Sequence, residues 1–224
     1  MHTIRVWDLP TRLFHWALTL CVLGLLITGN LGGNWMTWHL RLGYAVLALL
    51  LFRLVWGFIG GHWSRFSSFL YAPGTTWRYL RSRAQPEHAV GHNPLGALSV
   101  FALLASLFAQ VGSGLISDDE IAFFGPLVAF VSGETVGMAT NYHKNIGKFI
   151  VLGLVLLHIG AIAFHKLVKK EALVRPMVFG DKQTPVPMPS ARDNGVTRLI
   201  ALLVLAGCAL GVYILVGLAH TGSY

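Results

Sequence analysis

The chain has 224 residues, of which 54% are hydrophobic and only 12% charged. A soluble globular domain carries about a quarter charged residues, so that class is excluded. The formal net charge of +8 would fit a nucleic-acid binder, but the placement of the basic residues gives it another meaning.

In chain order, five apolar blocks approach the roughly 20 residues that cross a hydrocarbon core: 13–31, 40–59, 95–116, 147–164 and 199–218. The stretch 123–131 is too short to span and reads as a half-buried loop or interfacial turn. The first block has Trp flanks and no small-residue cleavage site after it, so it is expected to be retained as a membrane helix and not removed as a signal peptide. The predicted fold is all-α, a transmembrane bundle of four helices with a fifth at the C-terminus. Its expected parts are residues 1–175 as the four-helix unit, 176–196 as a cytoplasmic linker containing Pro185, Pro187 and Pro189, and 197–224 as the additional helix.

Arg5 and Arg12 precede the first block. Arg65, Arg78, Arg81 and Arg83 lie between the second and third, and Lys166, Lys169, Lys170, Arg175 and Lys182 follow the fourth. The opposite loops are poorer in Lys and Arg, and one carries Asp118, Asp119 and Glu120. The positive-inside rule places the N-terminus and these basic loops in the cytoplasm and the C-terminus outside. A bacterial inner membrane is the natural setting. The basic excess is thus a topology signal, and no nucleic-acid partner is needed to explain it.

Cys21 and Cys208 lie in separate apolar helices, with no CxxC pair and no CxxCH for covalent haem attachment. Both read as small packing residues. The ten histidines are more informative, because ionisable groups inside a membrane are costly and often functional. His2, His62, His88 and His220 sit at span ends or in loops and read as solvated. His15 starts the first helix at its cytoplasmic end and His39 the second at its outer end. His143 and His158 fall near the outer and inner ends of the fourth. Two couples at matched depths follow: His39 with His143 outside, His15 with His158 inside. At α-helical geometry the two fourth-helix imidazoles would lie roughly 22 Å apart along the axis and within roughly 60° of one another. His165 shares the face of His158, but Lys166, Lys169 and Lys170 beside it point to the headgroup zone.

A bare zinc or copper ion usually takes further ligands, often Cys or carboxylate, and none is available in the apolar sequence beside either couple. A haem brings four nitrogens and asks the protein only for axial ligands. Bis-histidine haem is therefore the favoured reading, with a proton relay or metal transporter as the alternatives.

The opening VWDLPTRLFHW (6–16), the run HLRLGYAVLALLLFRLVWGFIG (39–60), GHNPLGALSV (91–100), and NYHKNIGKF (141–149) followed by His158 together resemble the bacterial di-haem cytochrome b family. That family includes the membrane b subunits of nickel-iron hydrogenases and formate dehydrogenases, and small quinone-linked superoxide oxidases share its fold group. The resemblance covers roughly residues 3–175. It implies two non-covalent b-type haems whose iron is held by His15 and His158 on the cytoplasmic side and by His39 and His143 outside. It also implies exchange with quinone near one haem and with a redox partner, such as a c-type cytochrome or a dehydrogenase subunit, at the other.

Haem propionates favour cationic donors. Arg12 is placed for the inner haem, Arg41 and Lys144 for the outer, and Arg53, toward the cytoplasmic end of the second helix, for a propionate or the start of the third helix, with snorkelling to headgroups as the plainer account. His92 is a candidate for the quinone side, and Asn93 either joins it or caps the third helix. In the fifth helix, GCALG (207–211) has small-xxx-small spacing. Plain packing explains it most simply, and docking of a partner or of a second copy is the sharper reading. No acid–base pair or nucleophile is evident, so the chemistry would belong to the cofactors. The chain is read as an electron-transfer subunit, with a self-contained superoxide:quinone oxidoreductase and a haem-free proton-coupled transporter as the competing functions.

Overall fold

The computed structural model describes residues 1–81 and 90–221, without the side chains of Leu80 and 218–221. Arg83 and His88 lie outside the described residues. The long helices are α1 (Leu9–Leu31), α2 (Met36–Ile59), α4 (Pro94–Leu115), α6 (Lys148–Leu167) and α8 (Gly195–Thr221). Shorter ones are α3 (Pro73–Leu80), α5 (Gly133–Asn141) and α7 (Val174–Phe179). Five helical segments are long and apolar enough to cross a membrane. The fourth is longer than its apolar block suggested, because α5 runs through a π turn, Tyr142–Gly147, into α6. The distance and angle between His143 and His158 argued above assumed α-helical geometry throughout, and the π turn removes that assumption. Leu20, Phe58, Leu157 and Leu203 are exposed apolar side chains on these helices, as a lipid-facing surface requires.

The chain forms two compact units. Unit 1 comprises Met1–Phe14, Arg53–Ala102 and Val155–Leu203, and unit 2 comprises His15–Phe52, Leu103–Leu154 and Val204–Tyr224.

Unit 1 is organised by the N-terminus. Strand β1 (His2–Arg5) pairs antiparallel with β2 (Asp181–Thr184), His2 opposite Thr184 and Arg5 opposite Asp181. The expected linker is therefore built into the fold: the Ala191 amide donates to the Arg5 carbonyl (2.7 Å), and Trp63 Nε1 donates to the Pro189 carbonyl (2.8 Å). Ile4, Val6, Trp7, Trp63, Val90 and Ala191 make a buried apolar cluster beneath this clasp. Gly180 ends α7 at a positive φ of 94°, and its amide neighbours leave no room for a side chain, since a Cβ there would stand 2.9 Å from the Trp7 carbonyl.

Asp8 closes the start of α1. It is fully buried and takes the N-cap position, where a carboxylate satisfies an otherwise orphaned amide. Oδ1 accepts from the Thr11 amide (2.8 Å) and Trp56 Nε1 (3.2 Å). Oδ2 accepts from the Gly61 amide (3.0 Å) and the Ser64 hydroxyl (2.9 Å). One side chain thus starts α1 and fixes the end of α2 to it.

Unit 2 holds the remaining parts of the spans and the loop 116–131. That loop is a tight turn, with a single bridge between Asp118 and Phe124 and a 3-10 turn at Val128–Phe130, in keeping with the non-spanning reading. The Asp119 carboxylate accepts from the amides of Ile121, Ala122 and Phe123. Those bonds, the Phe123 amide foremost, hold its pKa below the ordinary carboxylate value, with a smaller contribution from Lys144.

Candidate haem-binding site

His39 stands in the first turn of α2, and His143 in the π turn. Unit 2 brings them together: their ring centroids are 6.0 Å apart and their planes lie at 87°. A metal–imidazole bond of about 2 Å on each side, with about 1 Å from each nitrogen to its ring centre, spans about 6 Å. The separation suits one metal ion held between two rings.

Each ring sits in a seat of the same design on another helix. His39 Nδ1 lies 3.2 Å from the Leu25 carbonyl and 3.4 Å from Thr28 Oγ1 on α1. His143 Nδ1 lies 2.8 Å from the Gln110 carbonyl and 3.4 Å from Ser113 Oγ on α4. A carbonyl can only accept, so each Nδ1 carries the proton and each Nε2 is left with a lone pair. That is the tautomer a metal-bound histidine needs, oriented by a backbone carbonyl behind it. Beneath the rings lie Gly29 and Gly114. A Cβ at either would stand 2.9 Å from the histidine Cε1, so glycine is what makes room for each ring against its helix.

The donor set is two neutral imidazoles in an apolar setting, and it fits a haem, whose macrocycle supplies the four remaining nitrogens. Unit 1 holds, separately, a buried cation. Arg53 is only 4% exposed. Its guanidinium lies over the Phe66 ring at 4.7 Å, and its Nη1 is buried with no hydrogen-bond partner among the described residues. A buried cationic donor in that condition suits an anionic oxygen.

The other sequence-derived residues fall out differently. His15 lies on α1 in unit 2, edge-on to Trp16 at 5.1 Å, and His158 lies on α6 in unit 1, half-buried. His165 Nδ1 is 2.8 Å from Glu171 Oε2. Arg12 Nη1 donates to the Val178 carbonyl (2.7 Å), which ties α1 to α7. Arg41 lies over Trp38 at 5.2 Å, and Lys144 is exposed. The His92 ring packs between Trp7 and Phe69, at 4.8 and 4.5 Å, within an aromatic cluster. Asn93 Oδ1 accepts the Gly96 amide (2.7 Å), the capping role for α4.

Sequence reasoning missed Asp8, the Thr28–Gly29 and Ser113–Gly114 seats, and Gln110. The recurrence of a small hydroxyl residue followed by glycine, inside two apolar helices, was the available signal for the seats.

The fold and this site together define a class: a multi-span helical membrane protein with a facing pair of metal-ready imidazoles. The family model for prokaryotic cytochrome b561 matches residues 6–180, and the chain belongs to that family. It is accordingly a membrane b-type cytochrome of electron transfer. Among curated relatives, a probable Ni/Fe-hydrogenase B-type cytochrome subunit of Azotobacter chroococcum mcd 1 is 25% identical over 215 residues, covering 79% of this chain and 87% of the relative. The corresponding protein of Cupriavidus necator is 26% identical, covering 78% and 85%. A probable Ni/Fe-hydrogenase 1 B-type cytochrome subunit of Escherichia coli K12 is 24% identical, covering 78% and 88%. No solved structure matches.

Proposed function

We propose that this chain is the membrane electron carrier of a larger redox assembly, holding two b-type haems and exchanging electrons between quinone and a protein partner. The observation that carries the reading is the His39–His143 pair, with its 6.0 Å ring separation and both Nδ1 positions engaged. The second haem, on His15 and His158, rests on their matched depths in the sequence and on the resemblance. When bound, haem supplies one-electron chemistry at its iron.

The chain's own residues do the rest. Backbone carbonyls fix both imidazoles in the Nδ1–H tautomer, with Nε2 free to ligate. Arg53 offers a propionate its spare donor, while Arg12, Arg41 and Lys144 are less committed candidates for the same task. The relatives' names point to a nickel-iron hydrogenase as the partner, and a c-type cytochrome or another dehydrogenase subunit would use the same wiring. The N-terminus and basic loops face the cytoplasm on the charge argument. Quinone would exchange near the cytoplasmic side, where His92 was singled out.

The test is a redox-difference spectrum and haem assay on purified protein. The expected result is two b-type haems per chain, reduced by a quinol analogue, with His39→Ala and His143→Ala each losing the same one. Absence of haem after expression with adequate haem supply would overturn the reading, and one haem per chain would overturn the His15–His158 assignment.

A further inference from the structure

Gln110 touches His143 twice. Its carbonyl accepts the Nδ1–H of the ring at 2.8 Å, and its side-chain Nε2 donates to the His143 carbonyl at 3.0 Å. No other residue grips either histidine by both ring and main chain among the described residues. The His39 seat has the carbonyl, the hydroxyl and the glycine, but no such amide.

The difference follows from where His143 sits. His39 is in a regular α-helix, whereas His143 is in the π turn Tyr142–Gly147. A π turn carries one residue more than the α-helical register, and the loss of that residue would swing the preceding side chains by about 100°. A π turn is rare and commonly marks a functional position. It also needs something to hold it. The Gln110 amide bonds a main-chain carbonyl inside the turn. Gly147 makes room for that amide: a Cβ at 147 would stand 2.1 Å from Gln110 Oε1 and 2.7 Å from the Tyr142 ring. Gly147 is the last residue of the turn, so the turn, its glycine and the glutamine fit as one piece.

We infer that Gln110 is the positioning residue of His143: its carbonyl sets the ring tautomer, and its amide N–H locks the π turn that aims the ring at His39. This rests on the reading of His39 and His143 as axial ligands. Gln110 itself touches no reacting atom and acts through the histidine.

Gln110→Glu, read at alkaline pH where its carboxyl is ionised, keeps shape and main-chain carbonyl but replaces the N–H by an acceptor facing the His143 carbonyl. Gln110→Leu removes both side-chain polar atoms but keeps the main-chain carbonyl, and Gly147→Ala presses on the amide from the other side. The readouts are the electron paramagnetic resonance spectrum of the ferric protein and the rate of haem transfer to excess apomyoglobin. Loss of an outer-shell partner of a metal-bound histidine typically costs about 10–100-fold in affinity. Haem loss from one site should rise by that factor in Gln110→Glu and Gly147→Ala, with one low-spin signal displaced and the other unchanged. The unchanged signal reports that the protein is folded. If the wild type holds haem and Gln110→Glu matches it in both readouts, the inference fails. If the wild type holds no haem, the underlying function fails instead. Should Gln110→Leu not fold, Gln110→Glu and Gly147→Ala decide the matter.

Discussion

Asp8 in unit 1 and the His39–His143 pair in unit 2 are both polar groups set into apolar helices, but they are finished differently. The carboxylate of Asp8 meets four donors, two on each oxygen, and is fully buried. Arg53 lies within electrostatic reach. Nothing further can bind there without displacing the protein's own bonds. Each imidazole, by contrast, has one nitrogen engaged by a helix carbonyl and its other ring nitrogen without a hydrogen bond among the described residues. The comparison separates two uses of a polar group in a membrane helix. A completely satisfied group holds helices together, and a half-satisfied, firmly oriented pair is made for a ligand.

Removing Asp8 should give the largest effect on stability. Asp8→Ala leaves the Trp56, Gly61, Ser64 and Thr11 donors unmet and an arginine without its nearest compensating charge. Breaking a buried charged network in this way costs about 3–5 kcal/mol. Asp8→Asn should also be destabilised, because its NH₂ would face donors on one side of the site. Thermal unfolding followed by helical circular dichroism in detergent would show this, and an unshifted Asp8→Ala would refute the structural role. In the folded fraction that survives, haem on His39 and His143 should persist.

Gly29→Ala should do the reverse. Alanine within a helix is favoured over glycine by about 0.5–1 kcal/mol, so the fold should be as stable or slightly more so. The new Cβ would press to 2.9 Å from His39 Cε1 and tilt the ring off its seat. Haem transfer to apomyoglobin should then quicken by about 10-fold or more, with no drop in melting temperature. A variant that loses helix content together with haem would show that the seat is merely structural.

How far the sequence went follows the same division. The five spans and the non-spanning 123–131 stretch were legible because each depends on local composition and periodicity. The structure then placed His39 beside His143. Three things were not legible, for physical reasons. The π turn at 142–147 leaves no mark in apolar periodicity, so the fourth helix seemed to start near Gly147 when it begins at Gly133. The segment 176–196 reads as a linker by its prolines, but its strand pairs with His2–Arg5 at the far end of the sequence, at a register no local pattern encodes. Gln110 carries no local signal as a polar residue in an apolar helix, because its role exists only once His143 is packed against it.

Asp193 lies between the two extremes and gives the smallest predicted effect. It is only 4% exposed at its side chain, yet its partners Arg5 and Arg198 are partly open to water. Burial alone would raise its pKa. Hydrogen bonds from Arg198, from the Leu9 amide and from Arg5 more than offset that, so the folded value lies below the ordinary carboxylate value. A depressed carboxylate contributes stability above its unfolded pKa of about 3.9 and loses it as pH falls through the folded value. Solvent around the arginines limits the contribution to about 1 kcal/mol. Asp193→Asn should therefore melt slightly below wild type at neutral pH, and the gap should close as pH falls below about 4. A gap that is constant from neutral to acid pH would mean that Asp193 acts by shape and not by charge. The clasp would then belong with neither the closed carboxylate of Asp8 nor the open histidine pair.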